Sequence, residues 1–292
     1  ENDRKKEENR VLRAAEINLL KRENDLKEKA EELQLEIAKK MGFWQCWGMS
    51  VGVMIGSGIF LLPTVLAPYG WISLLGWLLT CSGTIVLALV LARLAGTTDH
   101  AGGPYAYVRE SFGDLAGFLI GWGYWVGVVF GVTAIAVGFA GYMGSIFPIF
   151  AANSLTQALV AAMGIGVLTW VNIKGISEAA TVQLVLTILK IVPLTVIIGL
   201  GIAYGPIDNF PSFNPQQLSM TEALASTALL TMWAFIGIEA AVIPTSDVED
   251  PKKTVPIAVV SAALSVSFLY VGASIAIMFL VPSEVLAASE SP

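Results

Sequence analysis

The sequence predicts an all-α integral membrane protein: about seven transmembrane helices behind a solvent-exposed N-terminal helix. Mean hydropathy is +0.70, with 55% apolar residues and only 14% charged, whereas soluble domains carry about a quarter of their residues as charges. The charge is also segregated, because residues 1–40 hold eleven Lys/Arg and eleven Asp/Glu and leave six and twelve for the remaining 252. Beyond Met41 the chain is a succession of apolar runs, each long enough to cross a hydrocarbon core of ~30 Å at ~1.5 Å per residue.

Residues 1–40 read as one charged helix. Leu12, Leu19, Leu26 and Leu33 recur every seven residues, the spacing of a coiled-coil seam. The alternate seam positions are Glu16, Glu23, Ala30 and Ile37, and the two glutamates weaken the homodimer that such a seam would make. A lone solvated helix or a fused segment fits this stretch equally well.

Residues 41–292 form the membrane domain, with apolar segments at about 43–66, 71–94, 113–147, 155–172, 179–204, 222–244 and 255–281. In lipid every backbone polar group needs an internal partner, so such runs are helices, and they are too long for the alternating strands of a barrel. Arg93, Arg109, Lys174, Lys252 and Lys253 fall on the side shared with the N-terminus, whereas the opposite loops carry Asp208, Glu284 and Glu290 and no Lys or Arg. By the positive-inside rule the N-terminus is cytoplasmic in a multi-pass protein of the cell (inner or plasma) membrane. Trp44, Trp47, Trp71, Trp77, Trp122 and Trp170 lie near span ends, where belt anchoring accounts for most of them. The chain opens on charges, so the first apolar span is expected to act as an uncleaved anchor.

Several function classes are disfavoured. The net charge of −6 and the absence of a basic stripe outside the first forty residues argue against nucleic acid. Cys46 and Cys81 both sit in apolar runs without a CxxC partner, which reads as packing, and no metal or cofactor is expected. His100 is the only histidine, in a Gly-rich loop, so triad chemistry has no convincing base and an enzyme is not expected.

The chemistry lies in two irregular spans. The first contains Ile55, Gly56, Ser57, Gly58, Ile59 and Phe60, a Gly-Ser-Gly break in which each glycine weakens a helix by about 1 kcal/mol relative to alanine. A small-residue packing face is one reading. Local unwinding is the other, and it frees N–H groups and a positive dipole end suited to a carboxylate. The sixth span carries Trp233, Phe235, Ile236, Gly237, Ile238 and Glu239, again interrupted by glycine and now with an acid in apolar surroundings. Paired broken spans in two halves point to a transporter site. Glu239 is costly if ionised in lipid and should face the bundle interior, protonated or paired. Lys190 is too central in the fifth span to snorkel and needs an anion, backbone carbonyls or water. An ammonium held there can stand in the place of a bound sodium ion and take part in proton exchange, or serve as a fixed structural cation. The turn Gly102-Gly103-Pro104-Tyr105 and the loop Glu249-Asp250-Pro251 punctuate the cytoplasmic side; the second is a solvated turn or a gate.

Together, Gly56-Ser57-Gly58-Ile59-Phe60, Gly102-Gly103-Pro104-Tyr105, Phe235-Ile236-Gly237-Ile238-Glu239 and Glu249-Asp250-Pro251 resemble the amino acid/polyamine/organocation transporter superfamily over residues 42 to about 285. Leu61-Leu62-Pro63, Tyr124-Trp125 and Trp233 look most like its basic amino-acid/polyamine antiporter branch. The resemblance implies a five-plus-five inverted-repeat fold, with a substrate carboxylate on Ile55 to Gly58 and its ammonium facing Ile236 to Ile238. It further implies Trp233 and Tyr124 as aromatic gates, and Glu239 and Lys190 in proton coupling. Lys190 resembles the lysine of sodium-independent permeases, and Val53 stands where arginine exchangers carry asparagine, so a neutral amino acid also stays open as substrate. Such a core needs ten spans and this sequence carries seven, so the expectation is a fragment or truncated product. Secondary transport of amino acids or polyamines by alternating access is the leading reading. A membrane adaptor acting through the Leu12–Leu33 helix is the rival.

Overall fold

In the computed structural model, the structure describes residues 18–27, 29, 40–56, 58–97, 101–206, 209 and 211–288. The chain divides into two compact units, residues 1–40 and 41–292. In the first, residues 18–27 form helix α1, with a Lys27–Glu23 ion pair of 2.8 Å one turn apart. Leu19 and Leu26 are exposed; Leu12, Leu33, Glu16, Ala30 and Ile37 lie outside the described residues.

The second unit is helical throughout its regular elements. They are α2 (Phe43–Met54), α3 (Gly58–Leu66), α4 (Ile72–Thr97), α5 (Pro104–Phe112), α6 (Asp114–Ile146), α7 (Ser154–Lys174), α8 (Ile176–Tyr204), α9 (Met220–Met232), α10 (Pro251–Leu280) and α11 (Ser283–Ala287). Among the described residues, six helical stretches are long and apolar enough to cross a membrane: α4, α6, α7, α8, Met220–Val242 and α10. The first apolar segment of the sequence is divided between α2 and α3, neither of which spans alone.

Local chemistry sets the boundaries. The Asn153 side chain accepts from the Thr156 N–H at 2.8 Å to open α7, and Ser219 does the same for the Glu222 N–H at 3.2 Å in α9, each satisfying an orphan donor of a first turn. Pro104 and Pro251 open α5 and α10, where a missing N–H costs nothing. Because α10 starts at Pro251, it begins earlier than the apolar run alone suggests, carrying Lys252 and Lys253 into the polar interface. The expected sharp turn after the second span holds a helix of its own, α5, tied to α6 by a 2.7 Å Arg109–Asp114 ion pair.

Helix α10 is the hub, packed on α4, α8 and α2. Its buried face is mostly small (Ala258, Ala262, Ala263, Val266, Ala273), which lets backbones approach closely where no hydrophobic driving force acts between helices. A close approach of α10 to α8 is at Gly201, where an added Cβ would lie 2.6 Å from the Ala276 backbone. Trp77 belongs to this interior: it is fully buried and meets Phe235 and Tyr270 edge-on or tilted, so it is not an interface anchor as its position near a span end suggested. Cys46 and Cys81 are buried free thiols. Helices α6 and α7 share a separate small cluster of Ala136, Ala140, Val160 and Ala161, and their outer faces are apolar and exposed, as a lipid solvent allows.

The two ends of this unit are tied by main-chain bonds. At one end the Met41 N–H donates to Asp247 O at 2.8 Å and the Glu249 N–H donates to Met41 O at 2.9 Å, and the Gly102 N–H reaches Ile243 O at 2.9 Å. At the other, the Trp71 and Ile72 N–H groups donate to Ser212 O and Phe213 O.

Gly201→Leu is expected to push α8 off α10 and to cost about 1–3 kcal/mol by overpacking. A clear drop in thermal midpoint in detergent checks this, with Gly199→Leu, where an added Cβ meets nothing within 4 Å, as the unaffected comparison.

Candidate functional site

Two interrupted spans lie back to back near the middle of the second unit. Helix α2 ends at Met54, Ile55 leaves helical geometry (φ −76°, ψ 86°), and α3 begins at Gly58. In the second interruption, α9 gives way to a single 3-10 turn over Trp233–Phe235, Ile236 is extended, and Gly237 is left-handed at φ 106° before a further 3-10 stretch over Ile238–Val242. Only glycine takes that φ without strain, and Gly237 also backs onto Val53. The glycine therefore serves both the backbone turn and the approach of the two breaks.

Side chains within and around the breaks stitch them. The Ser50 hydroxyl donates to Ile238 O at 3.1 Å and accepts from the Ala241 N–H at 3.3 Å. The Lys190 ammonium donates to Gly52 O at 2.9 Å, so among the partners the sequence left open a backbone carbonyl of α2 is the one observed. Thr187, one turn earlier on α8, donates to Gly48 O at 3.0 Å. The Tyr270 hydroxyl lies 2.7 Å from Met54 O and 3.2 Å from Ala234 O. The Glu239 carboxylate folds back to accept from the Gly237 N–H at 3.2 Å.

The residues singled out from the sequence fall into three groups. Ile55, Phe235 and Ile238 are buried, so they can offer a ligand only their backbone. Trp233, Ile236 and Tyr124 have exposed side chains, and the Trp233 ring packs against Gly58, where a Cβ would come within 2.8 Å of it. Gly56 is exposed and a Cβ there would meet nothing within 4 Å, so open space adjoins the first break. Ser57 and His100 lie outside the described residues. Sequence reasoning missed Ser50, Thr187 and Tyr270, whose only signal was a hydroxyl inside an apolar span. Among the described residues, no cluster of three His, Cys, Asp or Glu could hold a metal.

Chemically, the start of α3 presents N–H groups without intrahelical partners and a positive dipole end, and the extended Ile236, its own N–H held by Trp233 O at 3.2 Å, takes its carbonyl out of helical pairing on the facing segment. An anionic group fits the first and a cationic group the second.

The amino acid permease family model matches residues 41–292. The chain belongs to this family. Its members are transporters rather than enzymes, and with six membrane-capable helices this is a multi-pass membrane protein. Relatives include the cadaverine/lysine antiporter of Escherichia coli strain K12, 35% identical over 263 residues, covering 87% of this chain and 57% of the relative. The putrescine transporter PotE of the same strain is 31% identical over 262 residues (87% and 58%), and that of Haemophilus influenzae is 31% identical over 256 residues (87% and 59%). The chain thus spans less than three-fifths of the length of these relatives.

Gly237→Ala is expected to lower the thermal midpoint strongly, by the equivalent of about 1–3 kcal/mol, because it forces a Cβ into a left-handed residue and against Val53. Gly56→Ala, which meets open space, should leave the midpoint nearly unchanged; equal effects would contradict the described geometry.

Proposed function

We propose that this chain forms the substrate-holding part of a secondary transporter that moves a basic amino acid or polyamine by alternating access. The single observation that carries this reading is the juxtaposition of two interrupted spans, one presenting N–H donors and the other extended backbone, beside open space at Gly56. A substrate carboxylate sits over Ile55, Gly56, Ser57 and Gly58, and an ammonium sits against the backbone of Ile236, Gly237 and Ile238. Trp233 and Tyr124 close over it as aromatic gates, with Phe235 supporting the second break from the core. The names of the relatives, a cadaverine/lysine antiporter and putrescine transporters, support the substrate class.

Lys190 and Glu239 carry the coupling in this reading. The Lys190 ammonium holds the first break through Gly52 O where other carriers would use a sodium ion, and Glu239 links its own protonation to the second break through the Gly237 N–H. The side bearing Arg93, Arg109, Lys174, Lys252 and Lys253 faces the cytoplasm, with the N-terminus, in the cell membrane. The rival use of the charged helix as an adaptor or homodimer seam draws on the exposed Leu19 and Leu26 alone.

Thermal stability of the detergent-purified chain against arginine, lysine, ornithine, putrescine, cadaverine, agmatine, leucine and alanine tests the proposal. A ligand that binds only the folded state at about a hundredfold over its Kd stabilises it by about 2.7 kcal/mol. The expected result is a raised midpoint with a basic amino acid or diamine, abolished by Gly56→Leu. No shift with any of the eight compounds overturns the reading.

A further inference from the structure

Tyr270 lies within α10, a helix with no interruption, and its side chain is fully buried. Its ring packs between Trp77 at 5.4 Å and Phe235 at 5.5 Å, centroid to centroid, and a phenylalanine would fill that place as well. The hydroxyl therefore needs another explanation, since burying one without a partner costs about 1–3 kcal/mol. Its partners are Met54 O at 2.7 Å and Ala234 O at 3.2 Å. Met54 is the last residue of α2 and Ala234 lies in the 3-10 turn that follows α9. One phenol on an intact helix thus touches the last carbonyl before the first break and a carbonyl at the head of the second.

The geometry constrains the spacing of the breaks. Two contacts of 2.7 and 3.2 Å from one oxygen hold the two carbonyl oxygens within about 6 Å of each other. Two carbonyl oxygens at that separation repel in a low-dielectric interior, and the phenol proton is the positive charge placed between them. A phenol has a single proton, so it serves one carbonyl fully or both partially, and the shorter contact marks Met54 as the main acceptor here. Ser50, on α2 itself, joins the first broken span to Ile238 O of the second, and Lys190 holds α2 from α8, whereas Tyr270, from an intact helix, reaches a carbonyl at each break.

We propose that Tyr270 is a positioning residue for substrate binding: its one phenol proton, shared between the Met54 and Ala234 carbonyls, fixes the distance between the two breaks and so the length of substrate that can bridge them. This rests on the reading of the two breaks as one substrate site. Loss of the hydroxyl lets the breaks separate, and a site that once measured chain length then accepts neighbouring homologues more evenly.

The experiment is a titration of the detergent-purified protein with lysine and ornithine, which differ by one methylene and carry the carboxylate that the first break takes, in the unsubstituted chain, Tyr270→Phe and Trp77→Phe. Tyr270→Phe is expected to weaken the preferred ligand about tenfold, the scale of one hydrogen bond, and to erase the preference between the two. Trp77→Phe loosens the same aromatic cluster without touching either carbonyl, so it lowers the midpoint of the free protein and keeps the preference. Tyr270→4-aminophenylalanine, which returns a weaker N–H donor at the same place, is expected to keep the preference at reduced affinity, and it carries the test if the phenylalanine variant does not fold. An unchanged Kd and unchanged preference in Tyr270→Phe, or a lost preference in the 4-aminophenylalanine variant, overturns the role of Tyr270 and leaves the substrate site standing. Absence of binding in the unsubstituted chain overturns the site and this role together.

Discussion

Hydrocarbon offers no hydrogen bonds, and the architecture of this protein follows from that deficit. An intact helix satisfies its own backbone, so α4, α6, α7 and α8 need only apolar side chains and small-residue contacts. A span that stops being helical exposes several N–H and C=O groups, each worth several kcal/mol if left unpaired at membrane depth. The two breaks are tolerable because Ser50, Lys190 and Tyr270 bring side-chain donors to backbone groups at or within a turn of them. The breaks are thus stabilised features set in a stiff frame.

That division of labour explains why the packing around the breaks is so tight on one side and so open on the other. Gly237 meets Val53 and Gly58 meets Trp233, whereas Gly56 looks into space. The closed contacts fix where the main-chain dipoles point, and the open one leaves room for something to use them. Preorganised dipoles of this kind bind charge without a reorganisation cost at the moment of binding.

Much of this was legible in the sequence. The helical membrane bundle followed from hydropathy and run length. The first break was visible at Gly56-Ser57-Gly58 and the second at Gly237, because glycine in mid-span is a local signal independent of the rest of the fold. Lys190 was visible for the opposite reason, as a charge where charge is expensive, although its partner was not, since Gly52 offers only a carbonyl that every residue has. Ser50, Thr187 and Tyr270 were passed over because serine, threonine and tyrosine are common in spans and nothing local distinguishes one that bonds its own helix from one that bonds a neighbour. Trp77 was misplaced for a similar reason: proximity to a span end says nothing about which face of α4 meets α10. The helix α5 reads as a turn because Gly102, Gly103 and Pro104 dominate its approach, and its nine residues are short for a periodic signal.

The pair of bonds through which Met41 clasps Asp247 and Glu249 is made wholly of peptide groups. It contains no titratable atom and no formal charge, so neither salt nor acidity sets its strength, and side-chain drift at those positions leaves its donors and acceptors in place. Only proline at 41 or 249 would delete a donor. In water such bonds exchange for solvent at a net cost of only about 1 kcal/mol each. This end of the bundle is therefore fastened by a zip rather than a lock: inexpensive to open by pulling on α2, indifferent to the ionic environment, and free to accumulate sequence change without loss of its closure.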